Sequence, residues 1–210
     1  MQDTEIQDRL RSIRAVVSSV SGVLHNNQDI IGQVMGKRFN LNGEYIGELR
    51  GNFQGLLRSH YDGQGVSLLR AIGIQVCFVT VDPILETDPI ARMIERWNVG
   101  LPSSLIWPLV RLIGGVVGKD QIKPVADWCT SREIFIGECA VMGHDLVQVP
   151  LMQAAASIGA LLVAPAQAEE VVKKMSHLVT ARPGGNGALR DFANMVIEAR
   201  GIDLTTMPTR

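Results

Sequence analysis

Two hydrophobic rhythms alternate along this chain. Compact apolar or β-branched runs fall at 13–17, 74–81, 138–142, 160–164 and 178–180, and each closes on Ser, Thr, Gly, His or Pro. Runs this short, bounded by turn residues, predict strands covered on both faces. Between them the apolar positions recur at helical spacing. Val66, Leu68, Leu69 and Ala71 predict a helix opening at His60, which Gly73 ends. Ile90, Met93, Ile94 and Trp97 mark one face of a helix over 83–97, with Asp82 as its N-cap before Pro83. Further helices are predicted over 121–128, 149–158, 166–177 and 188–200, and the polar segment 3–12 predicts a short lead-in helix or a loose arm.

Residues 29–58 break this rhythm. Ile30, Ile31, Val34 and Met35, then Phe39 and Leu41, lead to Asn42-Gly43, and Tyr45, Ile46 and Leu49 follow. Asn-Gly between apolar segments is a strong hairpin signal, so this stretch predicts a two-stranded flap. Strands alternating with helices elsewhere predict an α/β fold with a doubly wound, Rossmann-like parallel sheet, as a single domain over 1–210. The right-handed crossover rule places the turns after Val17, Val79 and Val141 along one sheet edge, where ligands bind in open α/β sheets. Residues 103–118 form an apolar insertion with Trp107, Leu109, Val110, Leu112 and Ile113. It reads as an extra core element or as a patch for a protein partner.

Composition narrows the function classes. The net charge of −1 and pI of about 6.4 exert no general pull toward nucleic acid or acidic membranes. No apolar run reaches the ~18 residues that suggest a membrane span. Cys77, Cys129 and Cys139 have no metal-ligand spacing and read as buried, reduced thiols. With an N-terminus lacking signal-peptide features, this predicts a cytoplasmic protein.

Six short motifs then occur in order: Ser19-Val20-Ser21-Gly22-Val23-Leu24, Tyr61-Asp62-Gly63-Gln64-Gly65-Val66, Thr80-Val81-Asp82, Asp120-Gln121, Gly143-His144-Asp145 running on to Pro150 and Met152, and Gly184-Gly185-Asn186-Gly187-Ala188-Leu189-Arg190-Asp191. Together they resemble the haloacid-dehalogenase-like phosphatases, and within them the 3-deoxy-D-manno-octulosonate 8-phosphate phosphatases, over residues 11–200. The resemblance implies Asp-x-Asp-Gly-Val-Leu after the first strand, with a nucleophile at Ser19, an acid/base at Ser21 and a phosphate-contacting hydroxyl at Thr80. It further implies ligand-binding positions at Gly22, Asp62, Gly63, Lys119, Lys123 and Arg190. The Mg²⁺ ligand of the Gly143-His144-Asp145 motif falls at His144, next to Asp145, and the Lys of the Asp120-Gln121 motif falls at Gln121.

The residues present contradict that chemistry. A carboxylate nucleophile forms an aspartyl-phosphate. Ser19 cannot, and Ser21 does not titrate in the useful range. Imidazole suits softer metals than Mg²⁺, so no metal or other cofactor is expected. A Ser-His-Asp relay or a zinc site built from Ser19, Ser21, His25, His144 and Asp145 is disfavoured, because adjacent His144 and Asp145 leave the chain in different directions. His60 and His177 read as ordinary histidines, and 184–187 as a turn rather than a phosphate cradle. The expectation is a catalytically impaired homologue acting through assembly, ligand or partner. The alternative is a sugar-phosphate phosphatase (3-deoxy-octulosonate or nonulosonate type) with a rearranged site. The flap predicts a homo-oligomer, a tetramer through residues 29–58, and the resemblance implies that the Gly-rich tail at 184–190, which opens the tail-and-helix segment 184–200, reaches a neighbouring subunit's site.

Overall fold

A computed structural model describes residues 3–26, 29–39, 44–56, 59–84, 89–99 and 107–207; within 29–39 and 46–56 it describes the backbone alone. A parallel sheet runs in the order β5-β4-β1-β6-β7-β8, built from β1 (Ala15–Ser19), β4 (Gln75–Val79), β5 (Arg111–Ile113), β6 (Cys139–Met142), β7 (Leu161–Ala164) and β8 (Leu178–Val179). β1 lies between β4 and β6, in register Ser19 to Val79 and Ser18 to Met142. The chain leaves β1 toward β4 and β5, then crosses back to β6, so the topological switch falls at the carboxyl end of β1.

Both sheet faces are covered, which is why these strands read as continuous apolar runs. Val16, Val76, Phe78, Met142 and Val163 pack under α1 (Asp3–Ser12), α2 (His60–Ala71), α3 (Pro89–Val99) and α7 (Ala188–Ala199). Val17, Cys77, Val79, Val141 and Leu162 pack under α4 (Ile122–Ser131), α5 (Val149–Ala156) and α6 (Glu170–Met175). α7 carries an amphipathic stripe in which Leu189, Phe192, Ala193, Val196 and Ile197 are all buried at helical spacing. Gly65 of α2 lets the two helices approach closely; a Cβ there would sit 2.7 Å from the Arg190 backbone nitrogen. The three cysteines are free and buried, as expected, with the Cys129 and Cys139 sulfurs 3.8 Å apart.

The hairpin is present as β2 (Asp29–Phe39) and β3 (Tyr45–Leu56), antiparallel and forming a sheet of their own. The predicted Asn42-Gly43 turn lies outside the described residues. So do residues 103–106 of the apolar insertion.

Three sequence expectations need correction. The helix predicted over 83–97 begins at Pro89, where a proline suits the first turn. Asp82 therefore caps no helix: its amide binds Thr80 Oγ1 and its carbonyl accepts the Gly115 amide, tying residues 80–82 to the loop after β5. The helix predicted over 166–177 is reduced to α6, because the Glu169 amide is held by the His144 carbonyl and the Ala168 amide by Pro165. The insertion supplies an unpredicted edge strand, β5, and its Trp107, Val110 and Ile113 are buried, whereas Leu109 and Val117 are 51% and 54% exposed.

Arg70 fastens that insertion to α2 and α3. Buried itself, it donates to the Pro108 carbonyl at 2.6 Å and the Trp97 carbonyl at 3.1 Å and lies over the Trp107 ring. Arg70→Lys keeps the charge but not the planar fork. An expected loss of about 1–2 kcal/mol follows, readable as a lower denaturation midpoint.

Candidate functional site

The carboxyl edge of β1, β4 and β6 gathers the polar residues that the sequence singled out. β1 ends at Ser19, only 4% exposed, whose hydroxyl donates to the Ser21 carbonyl at 2.8 Å. The chain then turns tightly, with the Leu24 and His25 amides both bonded to the Val20 carbonyl. On one side Thr80 continues β4. Its amide binds the Ile113 carbonyl, and its hydroxyl pairs with Asp82. On the other side, the Gly143 amide binds the Val163 carbonyl and His144 follows, 7% exposed.

His144 packs face-on against the first turn. A Cβ at Gly22 would lie 2.1 Å from its Cδ2, so only glycine admits the imidazole. Burial pushes the His144 pKa down; the Asp145 carboxylate opposes this and nearby His25 reinforces it. The ring is therefore neutral near pH 7. His25 is buried as well, and its Nδ1 lies 2.6 Å from the Asn26 carbonyl, which places the ring proton on that nitrogen. Asp145 serves a local purpose. Its Oδ1 accepts the Leu146 amide at 2.6 Å while its own amide binds Gln148 Oε1, a capping box over the short 3₁₀ turn before α5.

At the head of α4, Gln121 is buried. Its Nε2 donates to the Val116 carbonyl at 3.2 Å, and its Oε1 has no hydrogen-bond partner among the described residues. Lys119 and Lys123 are exposed, and Lys123 pairs with Asp127 at 2.6 Å. The remaining predicted positions sit elsewhere. Asp62, fully buried, accepts the Gly187 and Leu189 amides at 2.8 Å each, capping α7 from the side. Arg190 joins Gln64 of α2 to Asn194 of its own helix, and the Gly63 carbonyl accepts the Ser67 hydroxyl.

The two groups are joined by the glycine-rich loop. The Gly185 amide binds the Val23 carbonyl at 2.9 Å, and Gln167 bridges the loops by donating to Gly22 and accepting from the Gly184 amide. Sequence reading missed Gln167, because its role depends on two loops distant in the chain. It also missed Gln148, although the Asp-x-x-Gln spacing is a capping-box signal.

The donor set decides what this edge can hold. It offers the hydroxyls of Ser19, Ser21 and Thr80, the Gln121 amide and a neutral imidazole. Of the carboxylates beside it, Asp145 accepts the Leu146 amide and Asp82 the Thr80 hydroxyl. Mg²⁺ takes carboxylate and other hard oxygens in octahedral array, and these residues do not fit it. Among the described residues, no three of His, Cys, Asp and Glu gather as metal ligands. Helices running back from the strands do turn the amino ends of α4 and α5 toward this edge, a polarity that favours anions.

No family profile and no curated protein matches the sequence. Solved structures do. A 3-deoxy-D-manno-octulosonate 8-phosphate phosphatase from Yersinia pestis superposes with a TM-score of 0.66 and 22% identity, covering 97% of this chain and 90% of that one. The corresponding phosphatase from Moraxella catarrhalis, in complex with magnesium, phosphate and KDO, gives 0.64 and 22%, covering 95% and 94%. The cobalt-bound phosphatase from Haemophilus influenzae gives 0.63 and 24%, covering 92% of each chain. The chain has the haloacid-dehalogenase-like fold, in the form taken by these phosphatases.

Proposed function

We propose that this chain is a non-hydrolytic member of that fold, a catalytically impaired phosphatase homologue that acts through ligand binding and assembly. One observation carries the reading. At the position where the fold's phosphatases carry a carboxylate nucleophile, Ser19 is buried and its hydroxyl proton is committed to the Ser21 carbonyl at 2.8 Å. Among the described residues no carboxylate or imidazole hydrogen-bonds the Ser19 hydroxyl, and the His144 ring packs against Gly22. The polar edge retains hydroxyl and amide donors beneath two helix amino ends, which suits binding an anion without cleaving it.

A second reading, a sugar-phosphate phosphatase with a rearranged site, is favoured by the phosphatase identity of the solved neighbours and by the retained Thr80. An assay on p-nitrophenyl phosphate and on a 3-deoxy-octulosonate phosphate, with Mg²⁺, Mn²⁺ and Zn²⁺ in turn, separates them. The expected result is no turnover above that of Ser19→Ala. Turnover that Ser19→Ala abolishes would sink the first reading and support the second. Calorimetry is expected to find no stoichiometric Mg²⁺ site below about 1 mM, in line with the donor set.

Assembly belongs to the same reading. A two-stranded hairpin is marginal alone in water, and β2 and β3 pair only with each other, in a ladder separate from the main sheet. Four copies closing a ring through this flap would cover it symmetrically. Light scattering is expected to give four times the chain mass of 22.9 kDa, and a monomer at micromolar concentration would refute it. Exposed Leu109 and Val117 offer a smaller apolar surface for a protein partner.

A further inference from the structure

At the opposite edge of the sheet, under the amino ends of β1 and β4, lies a cavity of about 210 Å³ lined by Arg14, Arg132, Arg200, Gln75 and Gly73, with isoleucines closing it. The carboxyl ends of α2, α4 and α7 all converge here, and their carbonyls carry partial negative charge.

Part of the cluster answers that charge. Arg200 donates through its two terminal nitrogens to the Ile72 and Ile13 carbonyls, and Arg14 donates to the Glu133 carbonyl at 2.9 Å and pairs with Glu138 at 3.2 Å. Helix capping therefore accounts for Arg14 and for two of the three Arg200 nitrogens.

Three features remain unexplained by capping. Arg200 Nε is buried with no hydrogen-bond partner among the described residues, and so is Gln75 Oε1 on the same cavity. Arg132 has no side-chain hydrogen bond or ion pair among the described residues, and Glu138 is the acidic partner of Arg14 alone. A buried donor and a buried acceptor on one cavity call for an occupant that pairs with both. An occupant that matches this lining accepts from Arg200 and Arg132 and donates to Gln75.

We propose that this cavity binds a small hydroxylated anion, a phosphate or carboxylate carried on a short polyol chain. Its anionic oxygens accept from Arg132 and from Arg200 Nε, and a hydroxyl donates to Gln75 Oε1. The volume falls below the ~300–1,000 Å³ of pockets for drug-sized ligands, which limits the occupant to a few carbons. Arg200 is pre-organised by its two carbonyls, so little side-chain freedom is lost on binding. The inference stands apart from whether the opposite edge turns over phosphate.

The test uses the full chain, with glycerol 3-phosphate and inorganic phosphate as probes at ionic strength matched with chloride. Amide chemical shifts locate the binding. The expected result is saturable glycerol 3-phosphate binding near or below about 1 mM, with shifts centred on Gly73, Gln75 and Ile134. Arg132→Ala, an exposed side chain whose loss spares the fold, is expected to weaken binding at least about tenfold. Gln75→Leu is expected to remove the preference for glycerol 3-phosphate over inorganic phosphate. No saturation at about 10 mM, or binding insensitive to Arg132→Ala, overturns the proposal. So do shifts confined to Ser19 and Gly22, which would place the anion at the other edge alone, and a water-filled cavity indifferent to both probes.

Discussion

Alanine at Gly185 is expected to cost at least about 3 kcal/mol and to leave little folded protein at physiological temperature, with Gly184→Ala close behind. The reason is backbone against backbone. A Cβ at Gly185 would lie 2.0 Å from the Asn26 nitrogen, and one at Gly184 would lie 1.9 Å from the Gly22 oxygen. No flexible side chain can yield there. The loops must separate, which breaks the Gly185–Val23 hydrogen bond and the Gln167 bridge. Gly185 also sits at φ +68, which adds backbone strain. Gly73 provides the control, because it has φ +82 with nothing within 4 Å of its would-be Cβ. Gly73→Ala is expected to cost only about 1–2 kcal/mol, the strain alone. Chemical denaturation of the three variants reads the difference. Equal losses at 73 and 185 would show that strain, not the packing of the tail loop onto the first turn, sets the cost.

Asp62→Ala is expected to cost about 3 kcal/mol near neutral pH, a fall of roughly 6–12 °C in melting temperature for a chain of this size. Two buried amides at the start of α7 lose their acceptor together. Asp62→Asn should cost less, since one oxygen remains while the amide nitrogen faces the second donor. The two variants also carry a pH signature. Burial pushes the Asp62 carboxyl up from 3.8 to about 6, against the Gly187 and Leu189 amides and the Arg182 guanidinium, which pull it down. A folded group that holds its proton to higher pH than the unfolded one stabilises most below the unfolded value. That contribution is fully present below pH 3.8 and is lost as pH rises through about 6. The loss in Asp62→Asn, which has no such proton, is therefore expected to be larger near pH 4 than near pH 7. Unfolding free energies at both pH values check it. A penalty that grows with pH would mean that the two amides and Arg182 outweigh burial.

Asp62 also shows why motif reading overreaches at single residues. The Asp-Gly pair after the flap occurs in a motif that implies ligand contact, and the sequence offers no sign that both oxygens are engaged by α7, more than a hundred positions away. Arg190 is similar. Its motif is legible, but its partners Gln64 and Asn194 depend on how α2 crosses α7. Asp82 reads as a helix cap because Asp-Pro commonly begins a helix, yet its backbone is claimed by Thr80 and Gly115 across the sheet edge.

Local pattern was enough for the architecture. The strand cores, the helical faces of α2, α3 and α7, and the hairpin follow from periodicity and from Gly, Pro and Asn-Gly placement, because burial on both faces of a sheet leaves an unmistakable apolar run. The absence of a carboxylate at Ser19 and Ser21 is likewise a matter of sequence alone. Tertiary structure decided the rest: that β5 completes the sheet edge, that the tail loop presses on the first turn, and that His144 lies over Gly22. It also brought Arg14 from the start of β1 and Arg132 and Arg200 from the ends of α4 and α7 to one cavity. Each of these is a contact between segments far apart in the chain, set by the crossing of packed elements, and no local propensity encodes it.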